Sequence, residues 1–140
     1  MADEVVLIDT DVFSCVVVTP KDRDPRVTTW RRLLIGREVA VSAQTEGELL
    51  FGAFAAGWGA RRLDALHAEI ACRARLATTP EVVDAWARLR ADCSEQGHAL
   101  GHKLNMGDAW VAATAIAYDL KLLSGDGIYR GAPGLRLLGE

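Results

Sequence analysis

Short, almost continuous hydrophobic runs alternate along the chain with longer stretches of helical periodicity. The run VVLID at residues 5–9 is rich in β-branched residues without polar alternation, which predicts a strand buried on both faces of a parallel sheet. VAVS at 39–42 and LKLLS at 120–124 predict further strands. LRLL at 135–138 is expected to form a fourth, and CRARLAT at 72–78 is a weaker candidate.

Other stretches have apolar residues three and four positions apart, which predicts helices. The first opens with Pro25 and closes with Gly36, residue types that are common at a helix start and just past its end. The last is apolar almost all round, so we expect it to be buried against the sheet. These stretches are 25–36, 45–57, 60–71, 80–97 and 106–119. Strands that alternate with helices predict a single α/β domain over residues 1–140, with a mainly parallel central β-sheet flanked by α-helices.

The composition is that of an ordinary globular protein, with 140 residues, 50% hydrophobic and 25% charged. The net charge of −3 gives no overall attraction to nucleic acid, so an RNA-binding surface would have to be a local basic patch. Cys15, Cys72 and Cys93 are odd in number and widely spaced, which predicts neither a disulfide framework nor a zinc site.

The first residues, MADEVVLID, are acidic where a secretory signal would be basic, and this predicts a cytoplasmic protein. The longest apolar segment, at 109–118, is far shorter than the roughly 20 residues that span a bilayer. We therefore expect no membrane-spanning segment.

Two acidic residues follow predicted strands. Asp9 ends the first apolar run, and Asp126 lies just past the run at 120–124. Parallel strands bring their carboxyl ends to one edge of the sheet, where α/β proteins form their functional crevice. An unpaired buried carboxylate costs several kcal/mol, and the residues flanking Asp9 offer no evident partner. Asp11 would face the same way as Asp9 if the strand continued.

For several of the acidic residues, a local structural role is the alternative to a functional one. Glu48 stands three residues after Thr45, the spacing of a capping box. Asp108 falls where the first turn of a helix favours an acid, and Asp126 fits an Asp-Gly turn. Asp11 is placed to cap a following helix.

Three segments in this order, LIDTDVF, SAQTEGELLFGA and GDAWVAATAIAYDLKLLSGD, resemble a PIN domain of the VapC toxin ribonuclease type. The resemblance covers nearly the whole chain. It implies that Asp9, Glu48, Asp108 and Asp126 converge on one site that holds one or two Mg²⁺ or Mn²⁺ ions. Sites with oxygen ligands alone suit such hard cations.

The resemblance also implies a role for each acid. Asp9 and Asp108 would be the main metal ligands, Asp126 a ligand or a water-positioning residue, and Glu48 the side chain that orients metal or water. Metal-activated water would hydrolyse an RNA phosphodiester bond, without a His or Lys base. A toxin of this type would be inhibited by a cognate antitoxin whose tail fills the acidic site, and would form a homodimer.

The chain departs from the family pattern at several positions. Asp11 stands where the family often has Asn or Ser, so it would be an additional ligand or a bystander. Gly107 replaces a residue that is often polar, and GIYRGAPG at 127–134 replaces the usual continuation after the last acid. Ser124 matches a small hydroxyl residue of the family that would contact phosphate or a carboxylate.

Two other functions remain open from the sequence. DTDV after a hydrophobic run also resembles the nucleophile motif of haloacid-dehalogenase-type phosphatases, with Asp9 as nucleophile and Asp11 as acid/base. That family needs a later acid pair and a Lys, which LLSGDGIYRG does not supply. The other alternative is a non-catalytic PIN-like module that binds RNA or protein.

Basic residues are numerous, but none is assigned to RNA binding from the sequence. Most charged residues lie on solvent-exposed helix faces, so their presence alone does not indicate an RNA contact. His98 and His102 have the i, i+4 spacing of a metal pair, but two nearby glycines favour a loop with ordinary histidines. The arginines considered are Arg23, Arg26, Arg31, Arg32, Arg37, Arg61, Arg62, Arg73, Arg75 and Arg130.

Overall fold

The computed structural model describes residues 4–140 and contains a four-stranded parallel sheet with the strand order β3-β2-β1-β4. The strands are β1 Glu4–Ile8, β2 Arg37–Ser42, β3 Ala74–Leu76 and β4 Lys121–Leu123. The predicted α/β class with a parallel sheet is therefore confirmed. Residues 1–3, which include Asp3 from the acidic start of the sequence, lie outside the described part.

Helices connect the strands on both faces of the sheet. The predicted helical stretches all form helices, with ends that differ by a few residues at most. Helix α1 is short and continues directly into a π-helical segment, Ser14–Val18. The helices are α1 Thr10–Phe13, α2 Pro25–Leu34, α3 Ala43–Ala55, α4 Ala60–Ala71, α5 Pro80–Gln96 and α6 Met106–Ala117.

The prediction of a fourth strand at 135–138 was wrong. Within this segment Leu137 forms only an isolated parallel bridge with Leu122. Gly134 and Gly139 both adopt positive φ, so the chain turns on either side of the segment, and only one of its residues pairs with β4. The weaker candidate at 72–78 instead supplies the edge strand β3.

The alternation of side chains along β1 divides the core between the two faces of the sheet. Val6 and Ile8 pack on the face covered by residues of α1 to α4. Leu7 packs on the opposite face with residues of α5 and α6. All three side chains are fully buried, which explains the continuous apolar run in this strand.

The segment GHALGH and the three residues after it form two short 3-10 turns, Ala99–Gly101 and Lys103–Asn105, rather than a longer helix. His98 and His102 each cap the following turn, since their Nδ1 atoms accept hydrogen bonds from the amides of Leu100 and Leu104. The prediction that this segment forms no continuous helix is confirmed. Between residues 4 and 140, no helix is both long and apolar enough to cross a membrane.

Candidate active site

Asp9 lies at the point where β1 ends and α1 begins. Its side chain is 6% exposed, and it is the N-cap of α1, because Oδ1 accepts a hydrogen bond of 2.9 Å from the Val12 amide. The expectation that nearby residues offer Asp9 no partner was therefore wrong. The strand ends at Ile8, so Asp9 and Asp11 do not share a strand face as the i, i+2 spacing had suggested.

Ser124 connects the ends of β1 and β4. Its hydroxyl donates to Oδ2 of Asp9 and accepts a hydrogen bond of 3.0 Å from the amide of Asp126. Of the two contacts considered for Ser124 from the sequence, the structure contains the one to a carboxylate. The two strand ends are thus joined through side chains as well as through the sheet.

Glu48 faces the same sheet edge from α3. This helix begins earlier than the sequence suggested, with Ser42 as its N-cap, so the capping box between Thr45 and Glu48 does not form. Both carboxylate oxygens of Glu48 are held by side chains instead. Oε1 accepts from Gln44 Nε2 at 2.9 Å, and Oε2 accepts from Thr10 Oγ1 at 3.1 Å.

Asp108 lies in the first turn of α6, whose N-terminus points to the carboxyl edge of the sheet. Its Oδ1 accepts a hydrogen bond of 3.2 Å from the hydroxyl of Tyr129, a residue that is only 2% exposed. Burial first, and then the charge of Asp108, raises the pKa of Tyr129 well above its ordinary value. The hydroxyl therefore stays protonated and acts as a donor.

Asp126 is exposed and has the local role that its sequence suggested. It caps a short 3-10 turn, Gly127–Tyr129, because its Oδ1 accepts a hydrogen bond of 3.0 Å from the Ile128 amide. The same residue also lines the cleft formed by the other acids. Asp126 therefore caps this turn and lines the cleft at the same time.

These side chains surround one open cleft of about 570 Å³ at the carboxyl edge of the sheet. Every acid singled out from the sequence lines it, including Asp11. Within the described range 4–140, no Lys, Arg or His lines this cleft. The carboxylates are Asp9, Asp11, Glu48, Asp108 and Asp126.

The electrostatics of the cleft disfavour this concentration of negative charge. Burial raises the pKa of Asp9, the charges of Asp11 and Asp108 raise it further, and the hydrogen bonds from Ser124 and Val12 oppose the rise. The pKa of Asp108 is also raised, mainly by burial and then by the charges of Asp126 and Glu48. A cation in the cleft would relieve both effects.

The donor set fits a hard divalent cation that keeps part of its water shell. All five charged groups are carboxylates, the ligand type that suits Mg²⁺ and Mn²⁺. Among residues 4–140, no three His, Cys, Asp or Glu side chains approach closely enough to form a ready-made metal cage. Mg²⁺ is usually held by one or two carboxylates with several waters, which matches a wide cleft of this kind.

Three polar residues of the site were not singled out from the sequence. Thr10 and Gln44 hold Glu48, and Tyr129 holds Asp108. Thr10 lies between the two acids of DTD, so its place near the site was predictable from the sequence. Gln44 and Tyr129 had no such signal, because their contacts depend on how α3 and the turn after β4 are oriented.

The arginine side chains mostly pair with neighbouring acids. Six of the ten arginines considered form salt bridges, and Arg62 lies over the ring of Trp58. This agrees with the interpretation that most of them are solvated surface charges. The pairs are Arg26–Asp24, Arg31–Asp22, Arg37–Glu4, Arg73–Glu69, Arg75–Glu46 and Arg130–Glu140.

Comparison with protein families identifies the fold. The profile of the PIN domain matches residues 6–134. The chain belongs to the PIN domain family. The chain is also 31% identical over 136 residues to ribonuclease VapC4 of Mycobacterium tuberculosis, with 94% of each chain covered. The resemblance noted from the sequence is therefore confirmed.

Several solved structures have the same fold as this chain. VapBC2 from Rickettsia felis, bound to a DNA fragment of its promoter, has a TM-score of 0.76 at 17% identity and covers 95% of this chain and 96% of that chain. FitAcB from Neisseria gonorrhoeae has a TM-score of 0.70 at 25% identity, with the same coverage. VapBC-5 from Mycobacterium tuberculosis has a TM-score of 0.67 at 24% identity and covers 96% of this chain and 97% of that chain.

These findings decide between the functions left open by the sequence. The chain is a VapC-like PIN protein, and the interpretation as a toxin ribonuclease agrees with the family and with the curated relative. Neither the phosphatase nor the non-catalytic module is favoured. The helix that carries Glu48 plays no part in the phosphatase motif, yet it contributes directly to the acidic cleft.

Proposed function

We propose that this protein is a Mg²⁺- or Mn²⁺-dependent endoribonuclease and the toxin of a toxin-antitoxin pair, acting in the cytoplasm. The observation that carries the proposal is the cleft lined by five carboxylates and, within residues 4–140, by no basic side chain. In the proposal Asp9 and Asp108 are the main ligands of one or two ions, and Asp126 is a ligand or positions water.

Each side chain has a distinct task in the proposed reaction. When bound, a divalent cation supplies an activated water and stabilises charge on the leaving oxygen. Ser124 orients Asp9 and favours its ionised form, since its hydrogen bond opposes the rise in the pKa of that carboxyl group. Glu48 is fixed at both oxygens and orients metal or water, and Asp11 on the cleft wall adds negative charge.

A cognate antitoxin is the expected protein partner. Beside the acidic cleft lies an apolar groove of about 200 Å³ between the π-helical segment, α3 and α4, lined in part by Leu49, Trp58 and Leu66. The groove and the cleft share Thr10, Ser14 and Glu48 in their walls. We propose that an apolar stretch of the antitoxin fills the groove while a basic side chain enters the carboxylate cleft.

A homodimer is the expected oligomeric state. Leu104, just before α6, and Met106, the first residue of α6, are 87% and 39% exposed, so their apolar side chains are available for a contact. We propose that this region contacts a second copy of the chain. Sedimentation velocity of the purified protein and of Leu104→Asp measures this directly, with a shift from dimer to monomer expected in the variant.

The decisive experiment is cleavage of RNA. We would incubate the purified protein with total bacterial RNA in Mn²⁺, in Mg²⁺ and in chelator, with Asp9→Asn in parallel, and map the new RNA ends. Discrete cuts that require metal and are absent from the variant are expected. A folded protein that makes no cuts under any metal condition would refute the nuclease assignment, and a phosphate-monoester assay would then test the phosphatase alternative.

A further inference from the structure

A buried phenol reaches the acidic cleft from the turn after β4. The hydroxyl of Tyr129 donates a hydrogen bond of 3.2 Å to Oδ1 of Asp108, although the side chain is only 2% exposed. The turn that carries it, Gly127–Tyr129, is capped by Asp126. One short segment therefore brings both an acid and a neutral donor to the site.

The ring of Tyr129 is held by the core, so its hydroxyl has a fixed direction. It belongs to the buried cluster on the α5 and α6 face of the sheet, together with Leu100, Val111 and Leu122. A packed aromatic ring loses little further conformational entropy when its hydroxyl makes a hydrogen bond. Asp108, in contrast, is only partly buried and lies in the first turn of a helix, where its carboxylate would otherwise rotate more freely.

We propose that Tyr129 is a positioning residue that restricts the Asp108 carboxylate and so increases the affinity of the cleft for a divalent cation. The inference deepens the proposed function and rests on it. Partners that hydrogen-bond a metal ligand orient that ligand, and their loss typically weakens metal affinity or activity about 10- to 100-fold. Tyr129 would act through Asp108 and would not itself touch the metal or the RNA.

The sequence supplies a matched control, because the chain has two tyrosines. Tyr118 lies at the end of α6, and its hydroxyl donates to the carbonyl oxygen of Ala77 at 3.0 Å, away from the acidic cleft. Tyr129→Phe and Tyr118→Phe each remove one hydroxyl and keep the ring. The first removes the hydrogen bond to Asp108, and the second leaves the cleft unchanged.

The test measures Mn²⁺ affinity without any substrate. Isothermal titration calorimetry and the Mn²⁺ dependence of the unfolding temperature would be recorded for the wild type and both variants, with circular dichroism in chelator to verify the fold. We expect Tyr129→Phe to bind Mn²⁺ about 10- to 100-fold more weakly and Tyr118→Phe to match the wild type. RNA cleavage by Tyr129→Phe should recover as the Mn²⁺ concentration is raised.

The possible results separate this inference from the proposed function. If the wild type binds Mn²⁺ and Tyr129→Phe binds it equally well, the positioning role is refuted while the metal site stands. If cleavage by Tyr129→Phe stays low at saturating Mn²⁺ with unchanged affinity, the positioning role is refuted in favour of a direct contact with RNA. If the folded wild type binds no Mn²⁺, the metal site of the proposed function fails as well.

Discussion

The hydroxyl of Ser124, just past the end of β4, donates a hydrogen bond to the carboxylate of Asp9, just past the end of β1, although 115 residues separate the two in sequence. The adjacent strands also share a hydrogen bond from the Asp9 amide to the Leu123 carbonyl. Ser124 therefore holds in place the most buried acid of the cleft and counteracts the rise in its pKa.

Replacing Ser124 with Ala should weaken both folding and metal binding. A hydrogen bond to a charged group contributes about 1.5–3 kcal/mol, so the free energy of unfolding should fall by an amount of this order. The pKa of Asp9 should rise further, because the bond from Ser124 lowers it. Mn²⁺ binding should then require a higher pH than in the wild type, as calorimetric titrations at several pH values would reveal.

Ser124→Thr is the matched control, since it keeps the hydroxyl and should bind Mn²⁺ over the same pH range as the wild type. An unchanged pH dependence in Ser124→Ala would contradict the role given to this hydrogen bond.

Asp9→Asn should stabilise the metal-free protein at neutral pH. The folded-state pKa of Asp9 is raised, so its contribution to stability is fully present below the unfolded-state value and is lost as the pH rises through the folded-state value. Asn carries no charge, so the variant does not lose this stability as the pH rises. Urea unfolding in chelator should give equal stabilities for both proteins in acid and a growing advantage for Asp9→Asn toward neutral pH.

Divalent metal should instead make the wild type more stable than Asp9→Asn, because only the wild type retains the Asp9 carboxylate that binds the metal. A ligand at 100 times its dissociation constant stabilises the folded state by about 2.7 kcal/mol. Equal stabilisation of Asp9→Asn and the wild type by Mn²⁺ would exclude Asp9 as a main ligand.

Gly125, between Ser124 and Asp126, should be sensitive to a single added methyl group. A Cβ atom at this position would lie 2.6 Å from Cζ2 of Trp30, a core residue that is 5% exposed. Gly125→Ala should therefore destabilise the protein by about 1–3 kcal/mol, the usual cost of overpacking, and reduce cleavage by displacing Ser124 or Asp126. Urea unfolding and the RNA assay would measure these two effects.

Gly127 provides the comparison in the same turn, since a Cβ there would meet no atom within 4 Å. Gly127→Ala should remain within about 0.5 kcal/mol of the wild type. Similar losses in the two variants would show that the loop is sensitive for a reason other than the contact with Trp30.

The convergence of two of the acids was predictable because it follows from strand direction, whereas Glu48 and Asp108 were placed at the site only by the family resemblance. Asp9 and Asp126 come after parallel strands, and such ends meet at one edge whatever the detailed packing. The contacts within the cleft were not predictable in this way. The Gln44 bond to Glu48 requires α3 to begin at Ala43, whereas the sequence offered Thr45 as an equally good cap.

The error at the C-terminal end of the chain has a similar origin. The segment at 135–138 and the segment that forms β3 are both short, so hydrophobicity alone favoured the wrong one. Backbone turns at Gly134 and Gly139 decided the outcome, and a sequence pattern does not report the sign of φ at a glycine. Short edge strands depend on such tertiary detail more than buried central strands do.

The proposed antitoxin groove can be tested with two glycines of the same helix. Gly52 lines the groove and Gly47 does not, and a Cβ at either position would meet no atom within 4 Å. Gly52→Gln should fill the groove and weaken binding of the proposed cognate antitoxin, whereas Gly47→Gln should not. Both changes replace an exposed helical glycine, so their effects on stability should be similar and small.

Binding would be measured by calorimetry with the purified antitoxin, and RNA cleavage by each variant would verify that the acidic cleft is intact. Gly52→Gln should then remain active in the presence of an antitoxin concentration that inhibits Gly47→Gln. Equal inhibition of the two variants would place the antitoxin on another surface. Loss of cleavage in Gly52→Gln alone would instead assign the groove to the RNA, because the groove and the cleft share the side chains of Thr10 and Glu48.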